Sequence, residues 1–163
     1  MLFRSFDPEV KRASDRKWTG GAEALNQFSD AYPLLVTSEG SLAELNRRLA
    51  KAGHAAVGIE RFRPNIVLAG LEAQDEDRLE ELQIAADRPV RIKPVKPCTR
   101  CTIPDVDPVT AQTSTVVADT LRSYRANPVV GGGITFAMNA IVLEGIDATL
   151  RVGQEVTGRW AFA

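Results

Sequence analysis

Val90-Arg-Ile-Lys-Pro-Val-Lys-Pro-Cys-Thr-Arg-Cys-Thr-Ile-Pro104 joins a strand to a pair of thiols. From Val90 to Lys96 apolar and cationic residues alternate, the pattern of a strand with one buried face. Pro94 and Pro97 lack the N–H that an interior ladder needs, so the later part belongs at an edge or a bulge. Upstream, Tyr32-Pro-Leu-Leu-Val-Thr-Ser38 and Asn65-Ile-Val-Leu-Ala69 are short apolar runs of strand type, the second stopped by Gly70. Leu79, Leu82 and Ile84 follow an acidic stretch around Asp75, Glu76 and Asp77, which reads as solvated.

Helical signals occur twice. Ser41-x-x-Glu44 matches a capping box, Leu42, Leu45 and Leu49 recur at helical spacing, and Gly53 supplies a stop. This predicts a helix from about Leu42 to Ala52, its leucines facing a core. Thr115 to Ala126, with Val117, Leu121 and Tyr124, predicts a second helix, ended by Pro128. After the Gly131-Gly-Gly133 joint, Ile134 to Leu143 and Leu150 to Trp160 read as two final strands, with a tight turn or bulge at Val152-Gly153-Gln154. Short strands with two helices and no regular strand–helix alternation argue for a mainly β, barrel-like fold over a doubly wound sheet.

The chain has 163 residues, of which 44% are hydrophobic and 25% charged, enough to bury one core without metal or disulfide staples. Twenty Lys+Arg oppose 21 Asp+Glu. That balance lacks the basic excess of a non-specific nucleic-acid binder. No apolar run approaches the ~20 residues that span a bilayer, and the charged N-terminus does not resemble a signal peptide. A cytoplasmic protein is expected.

Cys98 and Cys101 are the only cysteines, too few for a disulfide scaffold. A structural zinc site needs four ligands, and His54 is the single histidine. A thioredoxin-like dithiol wants its first cysteine at a helix N-terminus, whereas Pro104 and Asp105-Val-Asp-Pro108 follow almost at once. A third reading makes one thiolate the ligand of a soft-accepting metal carried by a cofactor, with Arg100 favouring the charged form. The bland reading is two buried, inert thiols. Spacing alone leaves these open. Taken singly, Arg63 reads as a surface ion-pair partner and Asn65 as a turn residue before a strand. Trp18 and Trp160 read as packing residues, and His54 as an exposed loop residue.

Four blocks resemble the MOSC domain, the molybdenum-cofactor sulfurase C-terminal domain. They are Phe28-Ser-Asp-Ala-Tyr-Pro-Leu-Leu35, Ser38-Glu-Gly-Ser-Leu-Ala-Glu-Leu-Asn46, Arg61-Phe-Arg-Pro-Asn-Ile-Val67 and Val95-Lys-Pro-Cys-Thr-Arg-Cys-Thr-Ile-Pro-Asp-Val-Asp-Pro108. Leu121-Arg-Ser-Tyr-Arg125 and Leu150-Arg-Val-Gly-Gln-Glu-Val156 fall in the same order as in that family. The likeness is greatest to the subgroup of bacterial YcbX-like proteins and the mitochondrial amidoxime reducing component. It divides the chain into an irregular lead-in, residues 1–27, and a MOSC domain, residues 28–163.

The resemblance implies a barrel-like fold that binds molybdenum-molybdopterin, with Cys101 as the molybdenum ligand and the catalytic thiolate, and Cys98 shaping the loop. It implies that Asp30, Ala31, Tyr32, Arg63, Asn65 and Arg100 bind the cofactor. It also implies two-electron reduction of N-hydroxylated small molecules, with electrons from a separate flavin or iron–sulfur protein. No membrane or nucleic-acid polymer is expected as a partner. The alternative is a cofactor-binding or sulfur-carrier module without catalysis of its own. Family members that sulfurate the cofactor use a separate pyridoxal-phosphate domain, for which this length has no room. Full members carry a further N-terminal β-rich domain, so the match covers only their later part. Phe136-Ala-Met-Asn139 stands where the family usually shows a Phe-Gly-x-Asn pattern, so Ala137 replaces a glycine.

Overall fold

Alternation along the chain is what builds the sheet. In the strand Pro89–Thr99, Val90, Ile92 and Pro94 are buried, while Arg91 and Lys93 lie on the opposite, partly exposed face. The computed structural model describes residues 11–26, 29 and 31–161. Their strands are β1 (Arg12–Ala13), β2 (Leu25–Asn26), β3 (Leu34–Ser38), β4 (Ile66–Leu68), β5 (Leu79–Ala85), β6 (Pro89–Thr99), β7 (Ala126–Asn127), β8 (Gly133–Glu144) and β9 (Val156–Trp160). Three helices accompany them: α1 (Arg16–Thr19), α2 (Glu39–Lys51) and α3 (Val116–Arg122).

The main sheet runs β4-β3-β8-β6-β5-β9, with β7 added to β8. Only the β3–β4 pair is parallel, and the others are antiparallel. The sheet curls into a half-barrel, so the mainly β, barrel-like expectation holds. One core lies inside it around Val36, Leu82, Ile84, Ile92 and Ala140. A second forms where α2 and α3 cover Phe62 and Phe136 with Leu45, Leu49, Val117 and Leu121. A third, smaller one lies where the β1–α1–β2 segment packs Ala24, Trp18 and Tyr32 against Val95 and Ile141.

The helix α2 forms where expected but begins earlier. Ser38, not Ser41, is its N-cap: the Ser38 side chain accepts from Ser41 N at 3.0 Å. Glu44 pairs with Arg47 and Arg48 and does not reach back to a cap. Ser41 Oγ is already used, accepting from Gln74 N at 2.9 Å. Gly53 does end the helix, with φ 79° and His54 N bonded back to Leu49 O. At the other end, a Cβ on Gly40 would meet Leu71 O at 2.3 Å, so the chain crossing there requires glycine.

That crossing corrects the reading of the acidic stretch. Glu76 is 1% exposed, and its carboxylate accepts from Ser38 Oγ at 2.8 Å and Thr37 Oγ1 at 3.4 Å. Asp77 pairs with the buried Arg125 at 2.7 Å. The amino end of α2 attracts the anion that composition assigned to solvent.

The later elements are shorter than expected. α3 stops at Arg122 because Arg125 and Ala126 turn to bond β8 at Thr135 and Ile134. The last strand starts at Val156, because Gly153 with φ 86° and Gln154 make a turn first. Two steps on β6, Pro97 to Thr99, oppose three on β8, Met138 to Thr135. Within that irregularity Ala137 takes φ 71°, the left-handed backbone of a glycine position.

Candidate functional site

β6 delivers the thiol motif to the end of its ladder. Cys98 is the penultimate residue of β6, and Arg100 N bonds Ile134 O at 2.9 Å as the strand leaves β8. Cys98 is partly buried and Cys101 is exposed. The following turn, Ile103–Asp105, is held from several sides. Asp105 Oδ1 accepts from Ala118 N at 3.0 Å, and its backbone carbonyl accepts from Ser114 N at 3.0 Å. Asp107 Oδ1 accepts from Val109 N and Thr110 N at 2.9 and 2.8 Å. Those two backbone N–H groups, more than nearby Arg61, hold the Asp107 carboxyl below the usual range.

Two arginines join this loop to the turn Ile59–Phe62. Arg61 pairs with Asp107 at 2.7 Å and donates to Pro104 O at 3.3 Å. Arg100 donates from Nη1 to Cys98 Sγ and from Nη2 to Phe62 O, both at 3.2 Å. Its Nε is buried and has no partner among the described residues. The Phe62 ring stacks on Phe136, centroids 4.0 Å apart, and the Arg100 guanidinium lies 5.5 Å from the Phe62 centroid. The Arg63-Pro64-Asn65 segment therefore leaves a turn fastened to the cysteine loop.

Arg63 is exposed, with φ 54° and no carboxylate partner among the described residues. A non-glycine residue held in that region carries a backbone cost that the surrounding contacts must offset. Asn65 has a structural task as well: its Oδ1 accepts from Leu35 N at 2.8 Å, and its own N donates to Leu35 O at 2.9 Å. The Nδ2 amide is left as its free donor among the described residues.

Leu35 is opposite Asn139, and Asn139 is opposite Lys96, so Asn65, just before β4, forms one row with Leu35, Asn139 and Lys96 of β3, β8 and β6. Ala31 is exposed, and its carbonyl accepts from Asn26 Nδ2 at 3.3 Å. Tyr32 is buried, and among the described residues neither its hydroxyl nor Ser29 Oγ has a partner. Asp30 lies outside the described residues.

The structure brings Arg100, Cys98 and the Phe62–Arg63 turn together, and links Asn65 to the start of β3. Arg61, Asp107 and Lys96 were missed as contributors. The signal for Arg61 was present, since it opens the Arg-Phe-Arg-Pro-Asn block. Its partner, 46 residues away, was not readable. A cavity of about 450 Å³ between α2 and α3 is lined by Arg48, Lys51, His54, Val116, Asp119 and Ser123, and contains none of the predicted site residues. Among the described residues no three His, Cys, Asp or Glu side chains converge as a metal cluster.

The MOSC domain family matches residues 24–157. Mitochondrial amidoxime reducing component 2 of Macaca fascicularis is 36% identical over 123 residues, covering 74% of this chain and 35% of that protein. The human component 2 is 40% identical over 123 residues, with the same coverage of each chain. Mitochondrial amidoxime-reducing component 1 of Homo sapiens is 43% identical over 99 residues, covering 60% of this chain and 27% of that protein. The chain thus spans about a third of the length of these relatives.

Proposed function

The chain belongs to the MOSC domain family, and from that premise we propose that it is the molybdenum-cofactor-binding part of a cytoplasmic reductase of N-hydroxylated compounds, with the Cys101 thiolate as metal ligand. One observation carries the reading: Cys101 is exposed on a loop that Arg100 and Arg61 fasten to the Arg63–Asn65 segment.

The residues fit such a group. A bulky anionic pterin needs hydrogen-bond donors, and the metal needs a soft sulfur. Arg63, Asn65 Nδ2, and Arg100 Nε with the Ser29 and Tyr32 hydroxyls, which have no partner among the described residues, are donors, and Cys101 is the accessible sulfur. When bound, the cofactor supplies two-electron redox chemistry at molybdenum, and the protein supplies position and electrostatics.

The chain's own part follows from the geometry. Arg100 donates to Cys98 and to the backbone, which fixes the loop without capping the Cys101 sulfur. The Asp105 and Asp107 bonds keep the turn after Cys101 from collapsing onto it. Arg63 presents a planar fork suited to phosphate or pterin oxygens. Electrons come from a separate flavin or iron–sulfur partner, and the substrate is a small N-hydroxylated molecule. Among the described residues no helix is long and apolar enough to cross a membrane.

The test is molybdenum and pterin content after expression in a cofactor-competent host. Wild type should carry both, Cys101→Ser should lose molybdenum, and Cys98→Ser should lose much less. Equal losses in the two variants would refute the assignment. Cofactor retained without turnover of an amidoxime would favour the carrier-module reading.

A further inference from the structure

We propose that Lys17, Trp18, Lys96 and Tyr32 form an anion subsite that takes a phosphoryl group beside the thiol loop. Lys96 Nζ lies 5.3 Å from the Trp18 centroid and 6.0 Å from that of Tyr32, and Lys17 Nζ lies 5.6 Å from the Trp18 centroid. Both ammonium groups thus approach the same indole, where a cation is attracted to the ring and an anion would be attracted to both charges. Neither has a carboxylate within ion-pair distance among the described residues.

The Tyr32 hydroxyl is the second, independent sign. The residue is 4% exposed, and among the described residues its oxygen has no hydrogen-bond partner. A buried hydroxyl left unmade is costly, so the position calls for an acceptor. Burial first, and the Asp15 charge second, push the phenol pKa up, which keeps it a protonated donor. Asp15 is the nearby acid, and its carboxylate is engaged with Lys17 N at 2.9 Å. Two compact positive charges and a hydroxyl donor suit a phosphate dianion.

Placement links the subsite to the thiols. Lys96 precedes Cys98 by two residues, about 7 Å along a strand. It sits in the row with Asn139, Leu35 and Asn65. On the reading above, which this inference extends, the phosphoryl group is that of the pterin cofactor. Free phosphate is the other source of the same chemistry.

The experiment uses Trp160→Phe, which leaves Trp18 as the only tryptophan of the two in the chain. Trp18 fluorescence is followed during titration with inorganic phosphate at constant ionic strength, with chloride as control. A saturable change is expected, weakened about tenfold by Lys96→Met and severalfold by Tyr32→Phe. Both variants are checked for folding by circular dichroism. A response no different from chloride, or one unchanged in folded Lys96→Met, overturns the subsite.

Pterin content of Lys96→Met from a cofactor-competent host then separates the two sources. Loss of pterin assigns the subsite to the cofactor, and retained pterin with weakened phosphate binding assigns it to free phosphate. If wild type saturates with phosphate yet never holds molybdenum, the subsite stands and the reductase reading falls. If it holds molybdenum but shows no phosphate response, the reverse is true.

Discussion

The guanidinium of Arg100 rests on the sulfur of Cys98, 3.2 Å away, so the arginine inside the motif serves the first thiol. The second is left exposed where the strand has ended. Accessibility and not spacing therefore separates two cysteines three residues apart.

Alkylation should read that difference directly. With limiting iodoacetamide, mass spectrometry should find Cys101 modified well before Cys98, whose sulfur is partly buried and engaged. Equal rates, or Cys98 first, would mean that the loop is oriented otherwise.

Arg63 holds a left-handed backbone that glycine adopts freely, at φ 54°. Replacing it by glycine should stabilise the chain by about 0.5–1 kcal/mol, the relief of strain less the added chain entropy. Denaturant unfolding measures the gain. Cofactor content should fall in the same variant, because the exposed guanidinium is gone.

Two serines near the start of α2 separate the observed cap from the one read off the sequence. Ser38→Ala removes the cap of α2 and a donor to buried Glu76, and should cost about 2–3 kcal/mol. Ser41→Ala loses one bond, from Gln74 N, and should cost about 1 kcal/mol. Similar losses in urea melts would contradict the cap assignment.

Arg125 is 7% exposed, bonds Thr135 O at 3.0 Å, and meets Asp77 at 2.7 Å. Asp77→Leu should destabilise by about 3 kcal/mol, because a buried cation is left unpaired. Adding Arg125→Met should recover part of that loss, so the double variant falls short of the sum of the singles. Strict additivity would show the pair to be uncoupled.

Acid stability should depend on Glu81. Its hydrogen bonds from Arg91, at 2.7 and 2.9 Å, bring its pKa down from 4.5 to about 2 despite burial. The folded state therefore binds this proton more weakly than the unfolded chain. The stabilisation is complete above about pH 4.5 and is lost as pH falls toward 2. Thermal melts of Glu81→Gln should lie below wild type at pH 6, with the gap closing across that window.

Local periodicity carries far along this chain. Alternation at Val90–Lys96 predicts the strand Pro89–Thr99, and the leucine spacing predicts the helix that spans Glu39–Lys51. The cysteine and Arg-Pro-Asn blocks are legible too, because they are contiguous in sequence and their residue types carry their chemistry. Such signals survive folding because they depend on neighbours a few residues away.

What only the tertiary structure decided are the choices between equivalent partners. Ser38 caps where Ser41 matched the pattern, because Ser41 is drawn to Gln74, 33 residues on. Glu76 is buried because the chain crossing at Gly40 sets it against Ser38 and Thr37. Lys96 meets Trp18 and Tyr32 because the β1–α1–β2 segment folds over the outer face of β6. A hydrogen-bonding or charged group has many acceptable partners, and only the closing of long loops selects among them, so this part of the site follows from the packed sheet.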